Sequence, residues 1–368
     1  MRPLRISLLT ASLRGGGSER VQVTLAEALQ RKGHEVTLLA FDGDGEIRDQ
    51  VPADLKTSDL GCSRVIQGIG PLVRHLKHDR PNLVIAAMFH VGIVASISRS
   101  LARSDATLQI RLDCSYKDSQ RSISKSKQLV LGSIQRLLLP RANSVIAVSN
   151  ALAKEARKDY GLKNCEVVPN PVAIHNSTAT SSRNAADPLL RSGAPIVVAI
   201  GRLSEEKGFS FLLRAFAELR KLREVKLLIL GEGEQRDQLT EERDRLNLQD
   251  DVSLPGFVSN PFDYLRIASA YALSSRTEAF GLSVVEALSA GLPVIATRTS
   301  GPMDIINSPD LGELIGYGDL AAYSAALGRA LDSDDRHRIS RINRAADFAP
   351  DQIAEKYVDL YWEQTKAA

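Results

Sequence analysis

Short runs of β-branched and aliphatic residues alternate with stretches of helical period along most of the chain, the pattern of parallel sheets covered by helices. In the first half, RISLLT (5–10), EVTLLA (35–40), LVIAAM (83–88), TLQIRL (107–112), SVIAVS (144–149) and EVVPN (166–170) are predicted strands. In the second half the predicted strands are PIVVAIG (195–201), VKLLILG (225–231), DVSLPG (251–256), AYALSS (270–275) and PVIAT (293–297). Each half reads as its own doubly wound α/β unit. Between them AIHNSTATSSRNAADPLLRSGA (173–194) is rich in Ser, Thr, Asn and Ala and has no apolar period, as a linker would. The expected organisation is a first domain over 1–173, a linker over 174–192, a second domain over 193–348 and a terminal helix over 349–368. That helix places Ile353, Tyr357, Leu360 and Tyr361 on one face, which needs an apolar surface, expected on the first domain.

Composition narrows the class. A chain of 368 residues exceeds the ~100–200 typical of one domain, and 43% hydrophobic with 25% charged residues is an ordered globular balance. The net charge of +3 is too small to predict wholesale nucleic-acid binding. Cys62, Cys114 and Cys165 are odd in number and widely spaced, which argues against a disulfide framework or a structural zinc and for a reducing cytoplasm. The apolar run near the N-terminus is about six residues, a strand rather than a signal peptide. LVIAAMFHVGIVASIS (83–98) is interrupted by His90 and falls short of the ~20 residues that span a bilayer.

Three loops carry candidate chemistry. ASLRGGGSER joins the first strand to an amphipathic helix, and Gly15, Gly16 and Gly17 let the backbone approach an anion at the helix start. The spacing is not GxGxxG and no acidic residue closes the second strand, so a dinucleotide cofactor is not expected. AIGRLSEEKGFSFLLRAF places Arg202 and Lys207 between a strand end and a helix, a diphosphate site unless Glu205 and Glu206 neutralise both cations on a solvated loop. SRTEAFGLSVVEALSAGLPVIAT (275–297) carries Glu278 and Glu286 eight positions apart. Ser283 is expected to start the helix, so Glu286 also fits an S-x-x-E capping box, whereas Glu278 lies in the strand's exit loop. A glycosidase would use such a carboxylate pair, but it has no need of the two cations. FDGDGEIRD (41–49) lacks calcium-loop spacing and is not expected to bind metal.

Taken in order, GGGSER, VVPNPV (167–172), GRLSEEKG, the E-seven-residues-E stretch, SGPMDIIN (300–307) and LGELIGYGD (311–319) resemble the nucleotide-sugar-dependent glycosyltransferases of family 4. The resemblance, of bacterial surface-polysaccharide type, spans nearly the whole chain. It implies the GT-B architecture: two Rossmann-like doubly wound domains facing a central cleft. It implies that Arg202 and Lys207 hold the donor diphosphate, Glu278 contacts the donor sugar and Glu286 the ribose. It further implies that the backbone at Phe280, Gly281 and Leu282 faces the phosphates, and that Gly16 and Gly17 approach the donor from the other domain. Retention of anomeric configuration without metal or other cofactor follows from the same likeness. His90, at a strand's carboxyl end, matches an acceptor-side histidine, while LQIRLDCSYKD offers Arg111 and Asp113 where some members carry a histidine. Many relatives carry Glu where Asp304 stands, so sugar preference does not carry across.

The expected activity is transfer of a sugar from a nucleotide diphosphate donor, a UDP-sugar by preference, to a glycan or polyprenyl-linked acceptor. The alternatives are a nucleotide-sugar epimerase of the same architecture and a non-catalytic nucleotide-sugar-binding protein. SQRSISKSKQLVLGSIQRLLLPR (119–141) has Arg121, Lys125, Lys127, Arg136 and Arg141 and no acidic residue. As a basic amphipathic helix it fits either an ordinary solvated face or an anionic membrane surface, which would place the enzyme peripherally at the inner face of the membrane.

Overall fold

The computed structural model describes residues 2–114, 125–162, 165–174 and 188–366, with side chains left undescribed over 125–131 and at 188 and 191. The chain forms two compact units, Met1–Ala173 with Phe348–Ala368, and Ile174–Asp347.

The first unit is a parallel sheet of seven strands: β1 (Arg5–Ser12), β2 (Glu35–Asp42), β3 (Lys56–Asp59), β4 (Leu83–Ala87), β5 (Thr107–Leu112), β6 (Ser144–Ala147) and β7 (Cys165–Val167), ordered β3-β2-β1-β4-β5-β6-β7. Its central strands are buried on both faces, hence their continuous Ile, Leu, Val and Ala runs. The second unit is a parallel sheet of six: β8 (Ile196–Ile200), β9 (Lys226–Leu230), β10 (Val252–Gly256), β11 (Ala270–Leu273), β12 (Val294–Thr297) and β13 (Gly312–Ile315), ordered β10-β9-β8-β11-β12-β13. In each sheet the order reverses once, between β1 and β4 and between β8 and β11. Ligands of doubly wound sheets bind at the carboxyl ends of the strands flanking that reversal.

Two strands lie outside the apolar pattern. Lys56–Asp59 is the polar segment KTSD and Gly312–Ile315 is half-buried throughout, and both sit at sheet edges, where one-sided pairing demands little apolar surface. Pro255 is tolerated in β10 because that strand too is an edge.

The terminal helix Pro350–Lys366 belongs to the first unit and buries Ile353, Ala354, Tyr357, Val358 and Tyr361 in the core that β1 and β2 share with the helix Gly17–Arg31. Arg31 reaches Asp351 at 2.8 Å and Lys32 reaches Glu355 at 3.3 Å. Of the basic stretch 119–141, residues 119–124, with Arg121, lie outside the described residues; Lys125–Leu138 is helical, and the side chains of Lys125 and Lys127 are not described. Most of the linker, 175–187, also lies outside them.

Candidate active site

In the second unit β8 delivers Arg202 and Lys207 and β11 delivers Glu278 and Glu286, the two strands on either side of the reversal. After Gly201 the chain makes a single helical turn, Glu205–Lys207, and then enters the helix Phe209–Arg220 through Gly208. Gly208 has φ +64°, and a Cβ there would lie 2.2 Å from the Ser274 carbonyl oxygen, so only glycine lets the two exit loops meet so closely. Ser274 Oγ closes the contact by donating to the Lys207 carbonyl at 2.8 Å.

The cations are not consumed by their acidic neighbours. Glu205 pairs with Arg276 instead, and Arg276 also donates to the Tyr317 hydroxyl at 2.8 Å and, through its backbone N–H, to the Glu206 carbonyl at 2.7 Å. Lys207 Nζ lies 2.6 Å from Glu278 Oε2, with 25% and 15% of the two side chains exposed. Ser275 Oγ donates to the same carboxylate oxygen at 3.2 Å. Arg202 is exposed, and its guanidinium meets no acceptor among the described residues. One cation is therefore matched to a carboxylate while the other faces solvent with its donor fork open.

The helix after Glu278 begins differently from the expected capping box. It runs Leu282–Ser289 with Gly281 as its N-cap at φ +99° and no side-chain cap. Ser283 is thus the second helical residue and Glu286 the fifth, too far along to bond the cap. The Ser283 hydroxyl instead accepts from the Tyr271 hydroxyl at 2.6 Å. Burial pushes the Tyr271 phenol far above its ordinary range, and Glu286 and Glu278 push it further while Ser283 pulls it back, so both carboxylates act on this one hydroxyl. The Glu278 carbonyl accepts from the Gly301 N–H at 2.9 Å, and a Cβ on Gly301 would lie 2.0 Å from the Phe280 carbonyl oxygen. This close approach packs Phe280 and Gly281, both buried, beneath the half-buried Leu282.

In the first unit the glycine loop follows β1 and His90 follows β4, again on either side of the reversal. Gly16 caps the helix Gly17–Arg31, whose first residue is exposed. His90 is exposed in the first turn of the helix Phe89–Ala102. Arg111 and Asp113 divide: the arginine is fully buried and the carboxylate is 11% exposed beside it. In the acidic loop 41–49, Asp42 pairs with Arg14 at 2.7 Å and Asp44 with Arg48 at 3.0 Å.

Sequence reasoning missed Tyr271, which bonds Ser283; Ser275, which bonds Glu278; and Arg276 and Tyr317, which flank the Glu205–Lys207 turn. Arg276 and Ser275 stand in the SRTEAFG loop, but Arg276 meets Glu205 across 71 positions, a pairing only the parallel topology creates.

Two doubly wound sheets, one presenting cations and carboxylates at its reversal and the other a glycine loop and a histidine, place the chain in the two-domain Rossmann-like class. Comparison with known proteins gives the family. The profile described as Glycosyltransferase Family 4 matches residues 15–176, and that described as Glycosyl transferases group 1 matches residues 181–346. The chain belongs to the family 4 glycosyltransferases of GT-B fold. It is similar to the amylovoran biosynthesis glycosyltransferase AmsD of Erwinia amylovora, at 26% identity over 94% of this chain and 95% of that protein. At 26% identity over 93% of both chains it is also similar to the N-acetylgalactosamine-N,N'-diacetylbacillosaminyl-diphospho-undecaprenol 4-alpha-N-acetylgalactosaminyltransferase of Campylobacter jejuni. The structure of Anabaena HepE in complex with UDP-glucose matches with a TM-score of 0.80 at 21% identity, covering 98% of this chain and 100% of that one.

Proposed function

We propose that this glycosyltransferase moves a hexosyl group from a UDP-sugar to a glycan or polyprenyl-linked acceptor in surface-polysaccharide assembly, with retention of anomeric configuration and without a metal. The observation that carries the reading is the grouping at the β8/β11 reversal: the open Arg202 fork, and Lys207 held 2.6 Å from Glu278. Arg202, Lys207 and the backbone at Phe280, Gly281 and Leu282 offset the charge that develops on the leaving diphosphate. Glu278 accepts from hydroxyls of the donor sugar and Glu286 from those of the ribose. His90 and the loop at Gly16 and Gly17 serve the acceptor side and the donor's approach. The relatives' names, amylovoran biosynthesis and transfer to a diphospho-undecaprenol acceptor, support the acceptor class.

The test is UDP release from a panel of UDP-sugars with and without a polyprenyl-diphosphate-linked acceptor, with the product anomer read by NMR. We expect acceptor-dependent UDP release, an axial donor giving an axial product, and undiminished rate in excess chelator. Isomerised donor formed without acceptor would instead identify an epimerase, and UDP binding without turnover of any donor a binding protein.

We also infer contact with an anionic membrane surface. On the described part of the helix Lys125–Leu138, Ile134 and Leu137 are 38% and 61% exposed, and Arg136 and Arg141 are exposed beside them. Among the described residues no helix is long and apolar enough to cross a membrane. Sedimentation with phosphatidylglycerol vesicles should exceed that with phosphatidylcholine and fall as salt shortens the screening length. Equal partitioning to both would favour the solvated-face reading and a soluble acceptor.

A further inference from the structure

Among the described residues Arg111 is the largest fully buried side chain, and four segments far apart in sequence converge on it. Its guanidinium donates to Gln22 Oε1 at 3.3 Å and to Asn170 Oδ1 at 2.9 Å, and pairs with Asp113. Asp113 in turn accepts from Ser18 Oγ at 2.6 Å, and Ser18 is the second residue of the helix that the glycine loop opens. Gln22, one helical turn further on, donates to the Leu9 carbonyl at 2.9 Å and so ties that helix to β1. The Arg111 carbonyl accepts from the Met88 N–H at 3.0 Å; Met88 caps the helix that carries His90 and has φ +71°, a conformation non-glycine residues rarely hold. From beneath, the terminal helix closes the cluster: its Tyr357 carbonyl accepts from Gln109 at 3.1 Å, and the Tyr357 hydroxyl is fully buried within the fields of Arg111 and Asp113.

Stability does not account for this arrangement. A buried guanidinium–carboxylate pair is often no better than well-packed apolar side chains of the same volume, because desolvation offsets the attraction. Its distinctive property is direction: a planar fork fixes several acceptors at once in one geometry.

Resting on the transfer reading above, we propose that Arg111 is a positioning residue that holds the glycine loop in its working conformation through Asp113 and Ser18. Asn170 of VVPNPV and the terminal helix are then parts of the same support rather than separate structural features. Arg111 itself touches no substrate.

Three variants test this: Arg111→Met, which keeps bulk and removes the fork; Ser18→Ala, which removes only the last link and leaves the core intact; and Ser18→Thr, which restores the hydroxyl. Hydrogen exchange of amides 14–20 should speed up by about tenfold in Ser18→Ala and more in Arg111→Met, with exchange elsewhere unchanged in Ser18→Ala. In turnover of UDP-glucose, kcat for UDP release should fall about tenfold in Ser18→Ala while UDP affinity measured by calorimetry stays within about twofold, and Ser18→Thr should recover most of the rate. Wild-type exchange of 14–20, or wild-type kcat, in Ser18→Ala overturns the proposal. If the unmodified protein releases no UDP from any donor, the transfer reading falls, while the exchange measurement still decides whether the network holds the loop.

Discussion

The two sheets carry their candidate functional groups at the same topological place and hold them by different means. At the β8/β11 reversal the charged groups are near the surface: Lys207 and Glu278 are partly exposed and Arg202 is open to solvent. Beside the β1/β4 reversal the glycine loop carries the exposed Arg14, paired with Asp42, but its support is underground: Arg111 is fully buried and Asp113 11% exposed. On the proposed reading, a site that meets a diphosphate keeps its cations available, while the glycine loop is braced from within. The contrast predicts that substitutions at the β8/β11 group strike binding and chemistry directly, whereas those in the buried network of the first unit act through geometry.

The largest effect should come from the cations. Arg202→Ala and Lys207→Ala should each lower kcat by on the order of 10²-fold, the loss typical of removing one preorganised donor from a developing charge. Near-wild-type turnover in both would break the comparison, since the exposed charges would then be ordinary surface groups. A difference between the two would sharpen it: Lys207→Ala also leaves Glu278 without its 2.6 Å partner.

A smaller, more selective effect should separate the glutamates. With the helix capped by Gly281 rather than by Ser283, Glu286→Gln has no cap to disturb, and UDP binding measured by calorimetry should weaken about tenfold, as for one lost charge-assisted hydrogen bond. Glu278→Gln should leave UDP affinity unchanged and impair turnover of the intact UDP-sugar. Equal UDP affinity in Glu286→Gln and the unmodified protein would remove Glu286 from the donor site.

How much of this the sequence disclosed follows the same division. The second unit's groups sit in two short segments that follow strand ends, loops and the helix turn after them, so a linear motif contains them almost whole. The capping box failed because S-x-x-E is blind to backbone conformation: the glycine two residues before Ser283 takes the left-handed turn and starts the helix earlier. The edge strands Lys56–Asp59 and Gly312–Ile315 escaped because pairing on one side requires no apolar period. The brace beneath the glycine loop escaped for a different reason. Ser18, Arg111, Asn170 and Tyr357 come together only after β1, β5 and the terminal helix have packed, and no spacing rule links positions 89 or 248 apart.

The smallest effect concerns acid. In the first unit His34 is 7% exposed and its Nδ1 accepts from the Leu4 N–H at 3.2 Å, which requires the neutral ring. Burial, then Lys32 and the chain's N-terminal amine, hold its pKa below the ordinary value. His75, between Ser7 Oγ and Asp79 at 2.9 Å each, is likewise lowered, burial outweighing the pull of Asp79. Because the folded state resists these protons, the unfolded chain binds more of them once pH drops below about 6.5. Stability is therefore intact above that value and declines as pH falls toward the lowered pKa values, by up to ~1.4 kcal/mol per pH unit for each histidine. Among the described residues the second unit has only His337, 43% exposed, so it should lack this loss. Hydrogen exchange at pH 7.5 and pH 5.5 should show protection falling in the β1–β2 core while the β8–β9 core loses little. His34→Gln, which retains an acceptor and cannot titrate, should reduce the loss in the first unit by the share His34 contributes. Equal loss in both cores would place the acid sensitivity in groups common to the two sheets and dissolve this part of the contrast.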